Sequence, residues 1–250
     1  MKKIILGVMV AVSLLACSKE QVIEVNRAND EITFSVVTDA ITRGYVYSST
    51  ELPQKFHVYA NHNGRTYMSD HHVELIDGVY VNSDGVHYWP EEGDVTFYAY
   101  QTGGEMHWVS GEVPTMTFKV QSKVEEQLDF IYAVKSQCKD DNAPVALNFR
   151  HALSQVVFQA KNTNPGLYVE IDGVSVCNVG ATNLFTFATD DTDKEISATT
   201  QGTWNSLTGG TADYSISFDS HRVHGNNTVV ELGKSNAINA TMLLLPQTTT

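Results

Sequence analysis

The chain has 250 residues, 42% of them hydrophobic, 10% aromatic and 18% charged. That balance excludes a disordered or fibrous protein and suits one large β domain or two smaller ones. Its net charge of −13, with no cluster of Lys or Arg to neutralise phosphates, excludes nucleic acid and anionic lipid as partners bound through a basic patch.

The chain opens with Lys2 and Lys3, an apolar run over 4–15 too short to span a bilayer, small Ala16, and then Cys17. Residues 1–16 resemble a bacterial lipoprotein signal peptide. The resemblance implies that Cys17 becomes the mature N-terminus and carries acyl chains that hold the protein to the outer membrane; the alternative is a plain secretory signal followed by an incidental cysteine. At roughly 0.8 kcal/mol per buried methylene, two or more chains make a stable anchor without a transmembrane helix. Losing Lys2 and Lys3 with the leader takes the net charge to −15. Residues 17–30 are polar and read as a tether between lipid and folded body.

Strand periodicity starts at Glu31. Ile32, Phe34 and Val36 alternate with Thr33, Ser35 and Val37, the pattern of a half-buried strand. Further short strands are expected at 56–60, 80–81, 86–89, 95–100, 116–120 and 128–133, with one turn of helix at 124–128. Turn chemistry separates them at Asn63-Gly64, Asp77-Gly78, Asp84-Gly85 and Glu92-Gly93-Asp94. The polar stretch 137–144, ending in Pro144, is the best linker. A second series follows at 145–149, 154–160, 167–171, 174–177, 183–187, 214–218, 228–232 and 240–245, with Asp172-Gly173 and Gly209-Gly210 read as hairpin turns. The expected architecture is all-β: two consecutive antiparallel β-sandwich domains of Greek-key, transthyretin-like type, at 31–143 and 144–250, the second incomplete if the sequence is truncated.

Several features in order resemble the fimbrillin family of Bacteroidales, the subunits and accessory or tip proteins of fimbriae. They are the lipobox ending at Cys17, the strand 31–37 followed by Thr42-Arg43-Gly44, the pair 86–90 (VHYWP) and 95–100 (VTFYAY), the segment 127–133 (QLDFIYA), 149–154 (FRHALS) and 243–247 (LLLPQ). The resemblance implies an adhesive subunit or surface lipoprotein at the outer membrane or in a fimbrium, assembled with other fimbrial subunits by β-strand addition. Its first strand would be a plug, with Ile32, Phe34 and Val36 as inserted side chains. An arginine-specific protease would cut between Arg43 and Gly44, letting a strand of the next subunit replace the plug. The alternative is that 42–44 is an exposed loop between permanent strands. Family members continue past the LLPQ segment, whereas this chain stops at Thr250. The expectation is therefore an accepting or capping subunit, or a truncated sequence.

Competing chemistry is thin. No GxSxG elbow, Walker loop, HExxH or dinucleotide fingerprint occurs, so neither catalysis nor a cofactor is expected. His221 and His224, the group Asp70, His71, His72 and Glu74, and the acidic run Asp190, Asp191 and Asp193 carry side chains able to ligate metal, and no metal site is expected at any of them. Cys138 and Cys177 either pair or stay as free thiols. The second function class is a lipid-anchored carbohydrate-binding protein, with Trp108 and Trp204 as the rings for sugar stacking, and a host or bacterial surface molecule as ligand. Trp89 is assigned to the core.

Overall fold

A computed structural model describes residues 30–37, 52–101, 103–139, 143–205, 209–232 and 241–247. Cys17, Arg43 and Gly44 lie outside these residues. The first strands are β1 (Phe34–Val36), β2 (Lys55–His62), β3 (Arg65–Ile76), β4 (Val79–Asn82), β5 (Val95–Gln101), β6 (Glu105–His107), β7 (Thr115–Lys119) and β8 (Ile131–Gln137). They are followed by β9 (Val145–Leu147), β10 (Arg150–His151), β11 (Ser154–Val157), β12 (Gln159–Lys161), β13 (Tyr168–Gly180), β14 (Thr182–Thr186), β15 (Thr203–Trp204), β16 (Thr211–His224), β17 (Val229–Glu231) and β18 (Thr241–Leu244). A 3-10 turn at Val124–Glu126 takes the place of the expected helical turn. No helix among the described residues is long and apolar enough to cross a membrane.

The central element is a six-stranded antiparallel sheet in the order β10-β8-β5-β2-β3-β4. Its middle strands are buried on both faces, because side chains alternate across a strand. Phe56, Val58 and Ala60 of β2, Val95, Phe97 and Ala99 of β5, and Ile131 and Ala133 of β8 face one core, together with Ile32, Phe34, Trp89, Val145, Leu147 and Phe149. The intervening Tyr59, Tyr98, Tyr100, Tyr132 and Val134 face a second core. That core is closed by a four-stranded sheet, β15-β14-β7-β6, and by apolar side chains of β16, β18 and Leu245. Phe130 is its aromatic hub, with Phe118, Tyr132, Phe185, Phe187 and Trp204 all within 6.4 Å, centroid to centroid.

The all-β, largely antiparallel fold agrees with the sequence expectation, although β3, β6 and β15 lie where the sequence predicts no strand, and four further details differ. First, the ladders cross the expected division at 143/144: β9 pairs with β1, β10 with β8, and β14 with β7. Second, the β1–β9 ladder is parallel. Third, Asp172-Gly173 is not a turn. It lies inside the 13-residue β13, at a register shift against β16 between Ile171 and Gly173. A Cβ on Gly173 would sit 2.6 Å from the Ile216 carbonyl oxygen, so the glycine serves a close backbone approach at a bulge. Fourth, residues 86–89 contribute only an isolated bridge, Glu31 to Tyr88, and residues 154–160 split at Phe158, where the partner changes from β18 to β17. The Asn63-Gly64 and Asp77-Gly78 turns hold as expected, with both residues of each pair at positive φ.

Candidate functional site

Residues 30–37 lie across the open side of the first core. Ile32 and Phe34 are 0% and 4% exposed, whereas Thr33 is exposed and Ser35, Val36 and Val37 are half-buried. The alternation thus drives two side chains fully inward and leaves the third, Val36, at the margin. The Phe34 ring meets Phe97 edge-on at 5.7 Å and Phe56 at 6.2 Å.

The backbone of this segment is held from two sides. On one side Ile32 N–H donates to the His87 carbonyl at 2.8 Å and Trp89 N–H to the Asp30 carbonyl at 2.7 Å. On the other, Val145 N–H donates to the Thr33 carbonyl at 2.8 Å and Val37 N–H to the Leu147 carbonyl at 2.9 Å. The Asn82 side-chain amide donates to the Ile32 carbonyl at 2.8 Å, and Lys139 pairs with Asp30 at 3.1 Å. Neither flank is a long strand: β9 has three residues and 86–89 forms no ladder. Most of what holds the segment is therefore apolar burial of Ile32 and Phe34, supported by a handful of hydrogen bonds each worth about 0.5–1.5 kcal/mol net.

Beneath the His87 contact is a histidine pair. His71 of β3 is buried, its ring edge-on to His87 at 4.6 Å, and its Nε2 has no hydrogen-bond partner. Burial, and then the neighbouring His87, lowers the His71 pKa, and burial lowers that of His87. A histidine whose folded pKa lies below its unfolded value takes up protons on unfolding. Its stabilisation is complete above the unfolded value of about 6.5 and is lost as pH falls toward the folded pKa. Unfolding free energy measured by urea titration is expected to decline on acidification from pH 7, and His71→Gln should reduce the slope.

The remaining sequence candidates separate. Trp108, half-buried, packs on Tyr59 at 4.9 Å and donates its indole N–H to Thr66 at 2.9 Å. Trp204, half-buried, packs on Phe185 at 5.0 Å and donates to the Ala152 carbonyl at 2.8 Å. Both rings thus belong to the margin of the second core. The acidic run is neutralised by lysines: Lys194 reaches Asp190 at 2.6 Å, and Lys135 reaches Asp191 at 3.2 Å and Asp193 at 2.7 Å. Cys138 and Cys177 are free thiols. His221 and His224 both lie on β16, opposite Ile171 and Tyr168 of β13.

The group around His72 is rearranged. His71 turns inward, and Glu74 pairs in register with Lys55. In their place His57 of β2 stands opposite His72 across the ladder, their rings 4.5 Å apart. Asp70 meets His57 Nδ1 at 2.8 Å, and Asp84 meets His72 Nδ1 at 2.5 Å. Hydrogen bonds from the His72 side chain and then its backbone N–H hold the Asp84 carboxyl below the usual carboxylate range. Sequence reading could place His72 beside Asp70, but only the strand register adds His57.

The chain is thus an all-β protein of stacked, largely antiparallel sheets in which an N-terminal strand contributes to one of two cores. The chain belongs to the fimbrillin-like family, whose model matches residues 25–250. Among solved structures it is similar to a candidate cell adhesion protein from Bacteroides uniformis, with 14% identity and a TM-score of 0.50, over 88% of this chain and 75% of that one. It also aligns with a candidate adhesin from Bacteroides thetaiotaomicron at 10% identity and a TM-score of 0.40, over 82% of this chain and 77% of that one. These similarities concern the fold alone. No curated protein matches the chain.

Proposed function

We propose that this protein is a structural, adhesive subunit or accessory protein of a fimbrium at the cell surface, held to the outer membrane through lipid on Cys17. In this reading, residues 31–37 are a replaceable plug. Cleavage after Arg43 frees the plug and the anchor together, and a strand from another subunit takes the vacated place. Family membership supports the fimbrial role. The observation that carries the exchange step is that Ile32 and Phe34 help fill a core while the described backbone around them is joined to no long strand, but to a three-residue strand, an isolated bridge and the Asn82 side chain. An incoming strand with apolar side chains at alternate positions would satisfy the same backbone groups and pockets. No catalytic constellation is invoked, and uncleaved chains would remain as lipid-anchored accessory proteins.

Limited digestion of the folded protein with an arginine-specific protease tests this. The expected product begins at Gly44, and a synthetic peptide spanning 31–37 should compete with strand uptake by the cut protein. A folded chain that resists cleavage at Arg43, or whose cut form takes up no strand, would overturn the exchange reading.

A further inference from the structure

The cluster on the outward end of β2 and β3 has the composition and geometry of a metal site. One ligand atom from each of His57, Asp70 and His72 lies within 4.8 Å of the others. We propose that these three side chains bind a divalent transition-metal ion of the zinc type, with water in the fourth position and Asp84 as a positioning residue.

The local fold brings the ligands together. Antiparallel register sets His57 opposite His72, so both rings rise from the same face of the sheet. A register shift between Val58 and Ala60, facing His71 and Met68, sets Ser69 and Asp70 of β3 opposite Tyr59 alone, one extra residue in the ladder; Asp70 there adopts φ 50°, a left-handed conformation in which Asp is enriched. The bulge aims the Asp70 carboxylate at His57. Behind the ligands, Tyr100 stacks on the His57 ring at 5.0 Å and an interplanar angle of 14°, fixing its plane. Asp84 accepts from both the backbone N–H of His72 at 2.8 Å and its Nδ1 at 2.5 Å. That tautomer leaves Nε2 of His72 unprotonated and able to ligate, the carboxylate–histidine–metal arrangement that tunes many such sites.

Two imidazoles and one carboxylate select for zinc-type ions. Calcium and magnesium demand oxygen ligands throughout. Zinc bonds of 2.0–2.2 Å in a tetrahedron space ligand atoms about 3.3 Å apart. The His57 Nδ1 to Asp70 Oδ1 distance of 2.8 Å opens to that value by small side-chain rotations. The ion takes the place of the proton between these two atoms; His57 passes to the tautomer protonated at Nε2, so the imidazole stays neutral and no net proton is lost. The side chains of His57 and Asp70 are 29% and 51% exposed, and that of His72 is 42% exposed, so the ion has an open path. The acidic chain, with 29 Asp and Glu against 16 Lys and Arg, favours cation entry.

Titration calorimetry of the full chain with zinc chloride at neutral pH is expected to show one saturable site. His57→Ala and Asp70→Asn should each abolish that site; asparagine tolerates the left-handed backbone at 70, so the fold is kept. Asp84→Asn should weaken binding about 10-fold or more without changing the stoichiometry. His107→Ala, an exposed histidine elsewhere, should bind as the parent does. In a parallel thermal melt, zinc should raise the Tm of the parent and leave that of Asp70→Asn unchanged. Absence of saturable binding, or a site that survives both His57→Ala and Asp70→Asn, would overturn the proposal.

Discussion

Phe34→Ala is expected to cost about 3–5 kcal/mol of folding stability, the range for deleting a fully buried phenylalanine. Phe34 is 4% exposed and its ring is clamped edge-on between Phe56 and Phe97, so truncation leaves a cavity that rigid strands cannot close. It also removes the larger of the two side chains by which residues 31–37 are seated. Urea unfolding followed by the fluorescence of Trp89 reads the change, since Trp89 lies in the same core, 5.7 Å from Phe97. Ser35→Ala, on the half-buried face of β1, should leave stability near that of the parent. A Phe34→Ala protein as stable as the parent would mean that the segment is not seated in the core at all. Under the exchange reading the same variant should also release the plug faster once the chain is cut after Arg43.

The strand faces were legible in the sequence and the strand partners were not. Alternation at Ile32 and Phe34 correctly marks the inward positions of the first segment, because a period of two is fixed by the pleat. Asn63-Gly64 and Asp77-Gly78 were readable because a tight hairpin needs two residues at positive φ. Periodicity does not say which apolar strand lies beside which. Pairing of β7 with β14, and of β1 with β9, joins segments far apart along the chain, and their choice depends on packing between many similar strands. Asp172-Gly173 misled for a related reason: the dipeptide that makes a turn also permits the close approach of Gly173 to Ile216, and the sequence carries no mark to separate the two. The same ignorance of register hid His57 from His72. It also left Trp108 and Trp204 as open candidates for sugar contact, although both indole N–H groups are satisfied within the protein.

Phe130→Ala should carry a loss of the same size, about 3–5 kcal/mol, through the other core. The ring is 0% exposed and lies 4.8 Å from Phe185, 5.3 Å from Phe118 and 6.0 Å from Trp204, so its removal unsettles the contact between the six-stranded and four-stranded sheets. Trp204 is the natural reporter here. The two phenylalanines share no ring partner and belong to different cores, so a Phe34→Ala, Phe130→Ala double variant should lose the sum of the single losses within about 0.5 kcal/mol. That additivity bears on strand exchange. If the second core keeps its stability when the first is weakened at Phe34, a subunit whose plug has been cut can hold the six-stranded sheet in place while a new strand enters. A large coupling energy between the two sites would instead mean that emptying the first core unfolds the second, and a chain built that way could not survive loss of residues 31–37 between cleavage and replacement.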